Sequence, residues 1–214
     1  MPEIVEITVY CIGELGQTEQ QRARNWFRQV GFDHDWYESV YADFETVCSL
    51  IGIDLRAKAV HLMGGGSRSS PCIFFFGFWS QGDGACFEGT YSYVPDAAKA
   101  VRDHAPRDGA LHAIADALQA AQRRNFYQLR ADIRHHGRYY HEHSMTIAVE
   151  RDSPIGQAPA PHTEGIVIEC LRDIARWLYG RLEEEYEYLA SDTEIDEALE
   201  ANAYTFTSDG RRFG

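Results

Sequence analysis

The sequence lacks the patterns that identify most enzymes and membrane proteins. It has no run of 18 apolar residues, so no segment reads as a membrane span. Its five cysteines form no C-x-x-C pair, which argues against a zinc ribbon or disulfide framework and favours reduced thiols. The G-x-S-x-G, H-E-x-x-H and G-x-x-x-x-G-K-[ST] patterns are also absent. We therefore predict no catalytic residues, no cofactor and no membrane attachment.

Basic charge is scarce and unevenly placed. The chain carries 20 Lys and Arg against 33 Asp and Glu, a formal net charge of −13. Such a chain repels nucleic acid at long range, so direct DNA binding is not expected. Residues 163–204 contain 12 acids and only three Arg. These acids form either a solvated helix face or a docking face for a basic protein, with Glu183, Glu184 and Glu187 as candidate contacts.

Helical periodicity and capping residues predict most of the helices. Ala23, Trp26, Phe27 and Val30 share one helical face, and a second apolar stripe runs from Tyr37 to Ile51 before Gly52. Further helices are predicted after caps at Asp108, Thr163 and Ser191, and a short one after Asp96. The helix after Thr163 carries aromatic residues off its apolar stripe, which allows a homodimer; they are Trp177, Tyr179 and Tyr186.

Two hairpins are predicted from aromatic and β-branched residues. The first joins 72–79 to 85–94 through loop 80–84, with Ile73 opposite Tyr91 and Gly77 opposite Phe87. The second joins 126–136 to 139–150 around the three-residue loop His136-Gly137-Arg138. The fold class is therefore α+β, an antiparallel sheet built from two β-hairpins and covered by several helices.

The predicted domain organisation has three parts. Residues 1–150 form an α+β core domain, and residues 151–162 form a Pro-rich linker or loop. Residues 163–214 form acidic C-terminal helices packed on the core, with a frayed end. The glycines and serines of 63–71 predict a mobile loop without regular structure.

The stretch FFFGFWSQGDGACFEGTYSY, residues 74–93, contains the main candidate site. A turn needs the Asp and Gly of the loop but not its Trp79, Ser80 and Gln81. These residues, with Asp83 and Glu88 as the nearest carboxylates, are candidates for binding a partner or ligand. The structural alternative is a plain turn that joins two strands.

The segment HHGRYYHEHSM contains a candidate metal site. His141 and His143 are two residues apart, so on a strand they share one face and can bind one metal ion. A third ligand is missing from that face, because Asp132 and Glu142 project to the other side. The alternative is a solvated hairpin end with His and Tyr side chains.

Several stretches resemble a family of small phage and prophage accessory proteins, some of which are labelled antitoxins of toxin–antitoxin systems. The resemblance rests on LMGGGSRSSPCI with FGFWSQGDGACFEGTYSY, on RRNFYQLRADIRHHGRYYHEHSMTIAVE and on EANAYTFTSDGRR. It implies an accessory protein made in the cytoplasm of a bacterial host, which binds a host or mobile-element protein. It implies no catalytic residue.

Two functions follow from these observations. The first is a non-enzymatic binder that inhibits a bacterial protein complex, either an anti-defence protein such as an anti-CRISPR inhibitor or an antitoxin. The second is a small-ligand or metal-binding enzyme that uses loop 80–84 with His141 and His143. The resemblance, the acidic helices and the missing catalytic patterns favour the first.

Overall fold

The computed structural model describes residues 6–30, 32, 35–61 and 64–214. The predicted α+β class is confirmed. The helices are α1 (Gln17–Val30), α2 (Glu38–Ile51), α3 (Ala97–His104), α4 (Gly109–Arg124), α5 (Thr163–Leu189) and α6 (Asp192–Ala201). The strands are β1 (Ile53–Leu55), β2 (Ala57–His61), β3 (Ser67–Pro71), β4 (Ile73–Phe76), β5 (Gly84–Phe87), β6 (Gly89–Ser92), β7 (Leu129–His135), β8 (Met145–Arg151), β9 (Thr205–Phe206) and β10 (Arg212–Phe213).

The chain divides into two compact units. The terminal unit combines Met1–Glu38 with Glu184–Gly214, and the central unit is Ser39–Glu183. This division differs from the predicted boundaries at 150 and 163. Residues 152–162 contain turns but no helix or strand.

The central unit contains a four-stranded antiparallel sheet in the order β1-β6-β7-β8. Residues that alternate along β7 and β8 are buried on one face, including Leu129, Ala131, Ile133, Met145 and Ile147. The buried Gln122 of α4 holds this face, because its amide donates to the Leu129 carbonyl and accepts from the Leu129 N–H. Phe44 of α2 packs against Phe87, with ring centroids 5.5 Å apart.

Three extended segments meet at a three-way junction beside this sheet. Arg56 separates β1 from β2, Cys72 separates β3 from β4, and Glu88 separates β5 from β6. The N–H of Arg56 donates to the Glu88 carbonyl (2.8 Å), that of Glu88 to the Cys72 carbonyl (2.9 Å), and that of Cys72 to the Arg56 carbonyl (2.7 Å). Each segment changes its pairing partner there, so that β1 pairs with β6, β2 with β3, and β4 with β5.

The junction overturns the predicted register of the first hairpin. Ile73 lies opposite Phe87, not Tyr91, and Phe76 lies opposite Gly84. The register is shifted because the loop spans 77–83 instead of 80–84, and strand 85–94 also breaks at Glu88, after which β6 joins the four-stranded sheet. The partner of Ile73 is shifted by four residues, from Tyr91 to Phe87. Because four is an even number, the residues of β4 and β5 stay on the sheet faces that were predicted for them.

The predicted loop at 63–71 is also wrong, although Met63 itself lies outside the described residues. Ser67–Pro71 forms β3, which pairs with β2 from Ala57 opposite Pro71 to His61 opposite Ser67. Gly65 and Gly66 adopt φ of +86° and +94°, which suits the turn at the end of this two-stranded ribbon. The β2 backbone supplies the hydrogen-bond partners that the glycine- and serine-rich composition does not reveal.

The terminal unit has its own core, formed by both ends of the chain. Its buried residues are Ile12, Leu15, Ala23, Phe27, Ile195, Leu199 and Phe206. The predicted frayed end is instead a short hairpin of β9 and β10, joined to Tyr10 through two backbone hydrogen bonds between Tyr10 and Phe206. Arg24 forms ion pairs with Asp192 (3.1 Å) and Asp196 (2.5 Å). Part of the C-terminal acidic charge is thus neutralised within the unit.

Candidate functional site

The loop between β4 and β5 is braced by one carboxylate. Asp83 accepts hydrogen bonds from the backbone N–H of Trp79 (2.9 Å) and of Ser80 (2.6 Å), and its own N–H donates to the Ser80 carbonyl (3.1 Å). Gly77 and Gly82 have positive φ, of +54° and +97°, which lets the chain turn twice within seven residues. Asp83 is therefore explained as the brace of the turn.

The same loop exposes a large aromatic side chain. Trp79 is 78% exposed although its backbone N–H is held by Asp83, and Ser80 and Gln81 beside it are exposed too. An exposed Trp on a fixed backbone offers a large contact area at a low cost in conformational entropy. The turn does not need this side chain for its own geometry.

Helix α5 supports the loop from one side. The Tyr179 hydroxyl donates to the Gly77 carbonyl (3.2 Å), and the Tyr179 ring lies 5.5 Å from that of Phe78. Burial raises the pKa of Tyr179, and the nearby carboxylates of Glu183 and Asp83 raise it further. The structure thus brings the predicted residues Asp83 and Glu183 to the same tyrosine. We call Phe78, Trp79, Ser80, Gln81, Asp83, Tyr179 and Glu183 the tip surface.

Other predicted site residues lie elsewhere. Asp83 precedes β5 and Glu88 follows it, so the two carboxylates bind different partners. Glu88 accepts from the His135 N–H (3.3 Å) and lies 4.0 Å from the Arg56 guanidinium. Glu184 and Glu187 are exposed and belong to the terminal unit.

Three aromatic residues of α5 that lie outside its apolar stripe make contacts within the chain. The Trp177 indole N–H donates to Asp108 (2.6 Å), and Tyr179 bonds Gly77. Tyr186 packs its ring against Phe32 at 5.6 Å, within the terminal unit. These contacts explain the three side chains without a second copy; the homodimer stays a prediction.

The histidine pair does not lie on a strand. Strand β8 begins only at Met145, and residues 142–144 form a 3-10 turn after His141. The Nδ1 of His141 accepts from the His143 N–H (3.1 Å), so one ring nitrogen is already used. Within the part of the chain that the structure describes, no group of three His, Cys, Asp or Glu side chains is arranged to hold a metal ion. The predicted shared strand face was wrong because the hairpin loop spans 136–144.

An ion network fixes this 3-10 turn to α5. Arg176 bonds Glu142 (3.1 Å), Glu169 (2.8 Å) and Asp173 (2.5 Å). Burial alone would raise the pKa of Glu142, but hydrogen bonds from backbone and Arg176 outweigh it and lower the pKa. Hydrogen bonding to Arg176 likewise lowers the pKa of Glu169.

Replacing Arg176 by Met is expected to reduce the free energy of unfolding by about 0.5–1 kcal/mol at pH 7, since the network is partly exposed. The two carboxylates have pKa values below the ordinary 4.5, so their contribution is complete above that pH and is lost as the pH falls through the lowered values. Urea unfolding of both proteins at several pH values measures this. A difference that stays constant down to about pH 3 would contradict the account.

Four of the five cysteines are buried thiols. Burial raises the pKa of Cys86 to about 12 and that of Cys170 to about 11, and it raises those of Cys48 and Cys72. These side chains are protonated at neutral pH and contribute apolar volume.

The chain belongs to a family described as a domain of unknown function, DUF8835, which matches residues 36–192. That match covers all of the tip surface. No curated protein and no solved structure matches the chain. No helix among the described residues is long and apolar enough to cross a membrane.

Sequence reasoning identified the residues of the loop but missed Tyr179, which fixes it. The contact joins residues 102 positions apart, and no local pattern encodes such a separation. One weak signal exists, because Tyr179 and Glu183 are four residues apart and therefore share a helix face.

Proposed function

We propose that this protein is a non-enzymatic binding protein that captures a protein partner through the tip surface. The exposed Trp79 on a braced loop carries the proposal. Trp is enriched among the residues that dominate binding energy at protein interfaces, and a fixed backbone lowers the entropy lost on docking. Asp83 and Glu183 give the surface a negative edge, which suits a partner with basic side chains.

The resemblance to phage and prophage accessory proteins supports a bacterial defence complex or a toxin as the class of partner. In that role the protein would act inside a bacterial cell by occupying the partner's working surface. The alternative of a metal-dependent enzyme at His141 and His143 has less support, because His141 already uses Nδ1 within its own turn.

Affinity capture from a lysate of the bacterial host, followed by mass spectrometry, identifies the partner. The purified partner then allows a direct titration with variants of the tip surface. Recovery of a defence complex would support an anti-defence role, and recovery of a toxin would support an antitoxin role. Binding that is indifferent to substitutions in residues 78–83 would contradict it.

Glu183→Lys is expected to weaken partner binding by about 3- to 10-fold, mainly through slower association at low salt. Glu164→Lys is the matched control, since it makes the same change at the opposite end of α5, where Glu164 is exposed. Stopped-flow association rates at two salt concentrations measure the effect. Equal losses in both variants would show a response to net charge and not to the tip surface.

A further inference from the structure

Residues 55–82 and residues 133–141 are among the segments of this acidic chain that contain no carboxylate. Residues 55–82 carry Arg56, Lys58 and Arg68, and residues 133–141 carry Arg134 and Arg138, with no Asp or Glu in either. The net charge of the chain is −13, whereas the charged Lys and Arg side chains of these two segments are all basic.

The structure places the two segments side by side. The Phe74 ring stacks on Tyr140 with centroids 5.3 Å apart and planes 12° apart, and it lies 5.6 Å from His135. At the β5 end, a side chain on Gly84 would collide with the backbone and Cβ of His141, which shows how closely β5 approaches the loop 136–144. We call Lys58, Arg68, Phe74, Phe76, Arg138, Tyr139 and Tyr140 the basic aromatic face.

Two of the cations lie against aromatic rings of this face. The Lys58 amine lies 4.7 Å from the Phe74 ring centre, and the Arg138 guanidinium lies 5.4 Å from that of Tyr139. Phe76 is 64% exposed and Tyr139 is 54% exposed. In the β2–β3 register Val60 lies opposite Arg68 and Lys58 opposite Ser70, so Arg68 and Lys58 share a face of the ribbon.

Carboxylates border the face without neutralising all of it. Asp132 bonds Arg134 at 2.7 Å and lies 3.8 Å from Arg56, which also faces Glu88 at 4.0 Å. Among the described residues, neither Lys58 nor Arg138 forms an ion pair with a carboxylate. Their charge therefore remains available to an anionic ligand.

We propose that the basic aromatic face binds single-stranded nucleic acid. Exposed aromatic rings on strands stack with unpaired bases, and interleaved cations contact the phosphates. A duplex keeps its bases stacked, so it cannot use the rings of Phe76 and Tyr139.

The overall negative charge does not prevent this binding. The ribbon of β2 and β3 is five residues long, which corresponds to about 17 Å of extended chain. The Debye length at physiological ionic strength is about 8 Å, so repulsion from distant carboxylates is largely screened at the ribbon. The expectation against direct DNA binding considered only the net charge of the whole chain.

The test uses a fluorescein-labelled twelve-nucleotide oligo(dT) and fluorescence anisotropy, with the complete chain at about 50 and 200 mM salt. Saturable binding is expected, with a logarithmic salt slope of about −1.4 for two phosphate contacts on a single strand. The double variant Lys58→Ala with Arg138→Ala should lose most of this slope. Arg123→Ala, a basic residue of α4 outside the face, should bind as the wild type does.

Ring stacking is tested separately from charge. Phe76→Ala should weaken binding by about 5- to 100-fold, and Phe76→Leu should weaken it too, since leucine has no aromatic face. Phe126→Ala removes a similarly exposed ring that lies outside the face and should change nothing. Because Phe76 is exposed, these variants should keep the circular dichroism spectrum of the wild type.

Three results would overturn the proposal. The first is that the chain does not bind oligo(dT) at about 50 mM salt. The second is that it binds a twelve-base-pair duplex with the same affinity as oligo(dT). The third is that polyglutamate competes for the face as effectively as unlabelled oligo(dT). The last result would assign the face to an acidic protein. None of these results bears on partner capture by the tip surface, because Trp79 is unchanged in every variant.

Discussion

Replacing Gln122 by Leu is expected to lower the free energy of unfolding by about 2–5 kcal/mol. The Gln122 side chain is fully buried and makes two hydrogen bonds with the backbone of Leu129, at 2.9 and 3.0 Å. Its amide also donates to the Tyr91 hydroxyl at 3.2 Å. Leucine fills similar volume but leaves a buried N–H and a buried carbonyl without partners, each at a cost of about 1–3 kcal/mol.

Urea unfolding followed by circular dichroism measures this loss. Gln119→Leu is the matched control, since it makes the same substitution one turn earlier on α4 at an exposed position, where a change within about 0.5 kcal/mol is expected. A loss below about 1 kcal/mol for Gln122→Leu would mean that this side chain does not hold α4 to the sheet. The result matters for the basic aromatic face, because the same sheet carries His135 and the loop 136–144.

Replacing Trp79 by Ala is expected to weaken partner binding by about 30- to 1000-fold, the range of a dominant interface residue. The free energy of unfolding should change by no more than about 0.5 kcal/mol, because the side chain is 78% exposed. Titration calorimetry with the purified partner and urea unfolding measure the two quantities separately.

Phe126→Ala is the control for this prediction. Phe126 is 72% exposed, also lies in the central unit, and is not part of the tip surface. Its replacement should leave partner binding within twofold of the wild type. If Trp79→Ala also binds within twofold, Trp79 is an exposed residue of the turn and not a contact.

The sequence predicted those elements whose signals are local. The Asp108 side chain accepts from the Leu111 N–H at 2.9 Å, and Ser191 accepts from the Glu194 N–H at 3.3 Å, as helix-capping residues do. The apolar stripe of α5 is buried from Val167 to Leu182. Capping and helical periodicity depend on residues within one or two turns of each other, so a single sequence is enough to predict these helices.

Features that depend on distant segments were not predictable. Strand β3 exists because β2 supplies its hydrogen bonds, whereas its own serines and the glycines that precede it favour a loop. The last hairpin is ordered because Phe206 bonds Tyr10, almost the whole chain away. In both hairpins the residues that do form strands keep their predicted faces although the register is shifted, since the true loops are longer by an even number of residues.

The candidate site also combines residues that local sequence signals identified with contacts between distant segments that they did not. Trp79, Ser80 and Gln81 stood out because the turn chemistry of Asp83 and Gly82 does not require them. The support from Tyr179 and the adjacency of Phe74 to Tyr140 are tertiary contacts. The absence of acids from 55–82 was visible in the sequence, but only the ring contacts of Phe74 with Tyr140 and His135 show that this segment lies beside 133–141.

Hydrogen–deuterium exchange of the chain with and without its captured partner tests the central claim most directly. The bound partner is expected to slow exchange in residues 77–83 and in the part of α5 around Tyr179 and Glu183. No comparable change is expected at Phe126 or at the start of α5. Protection that leaves 77–83 unchanged and falls on other segments would contradict the tip surface as the docking site.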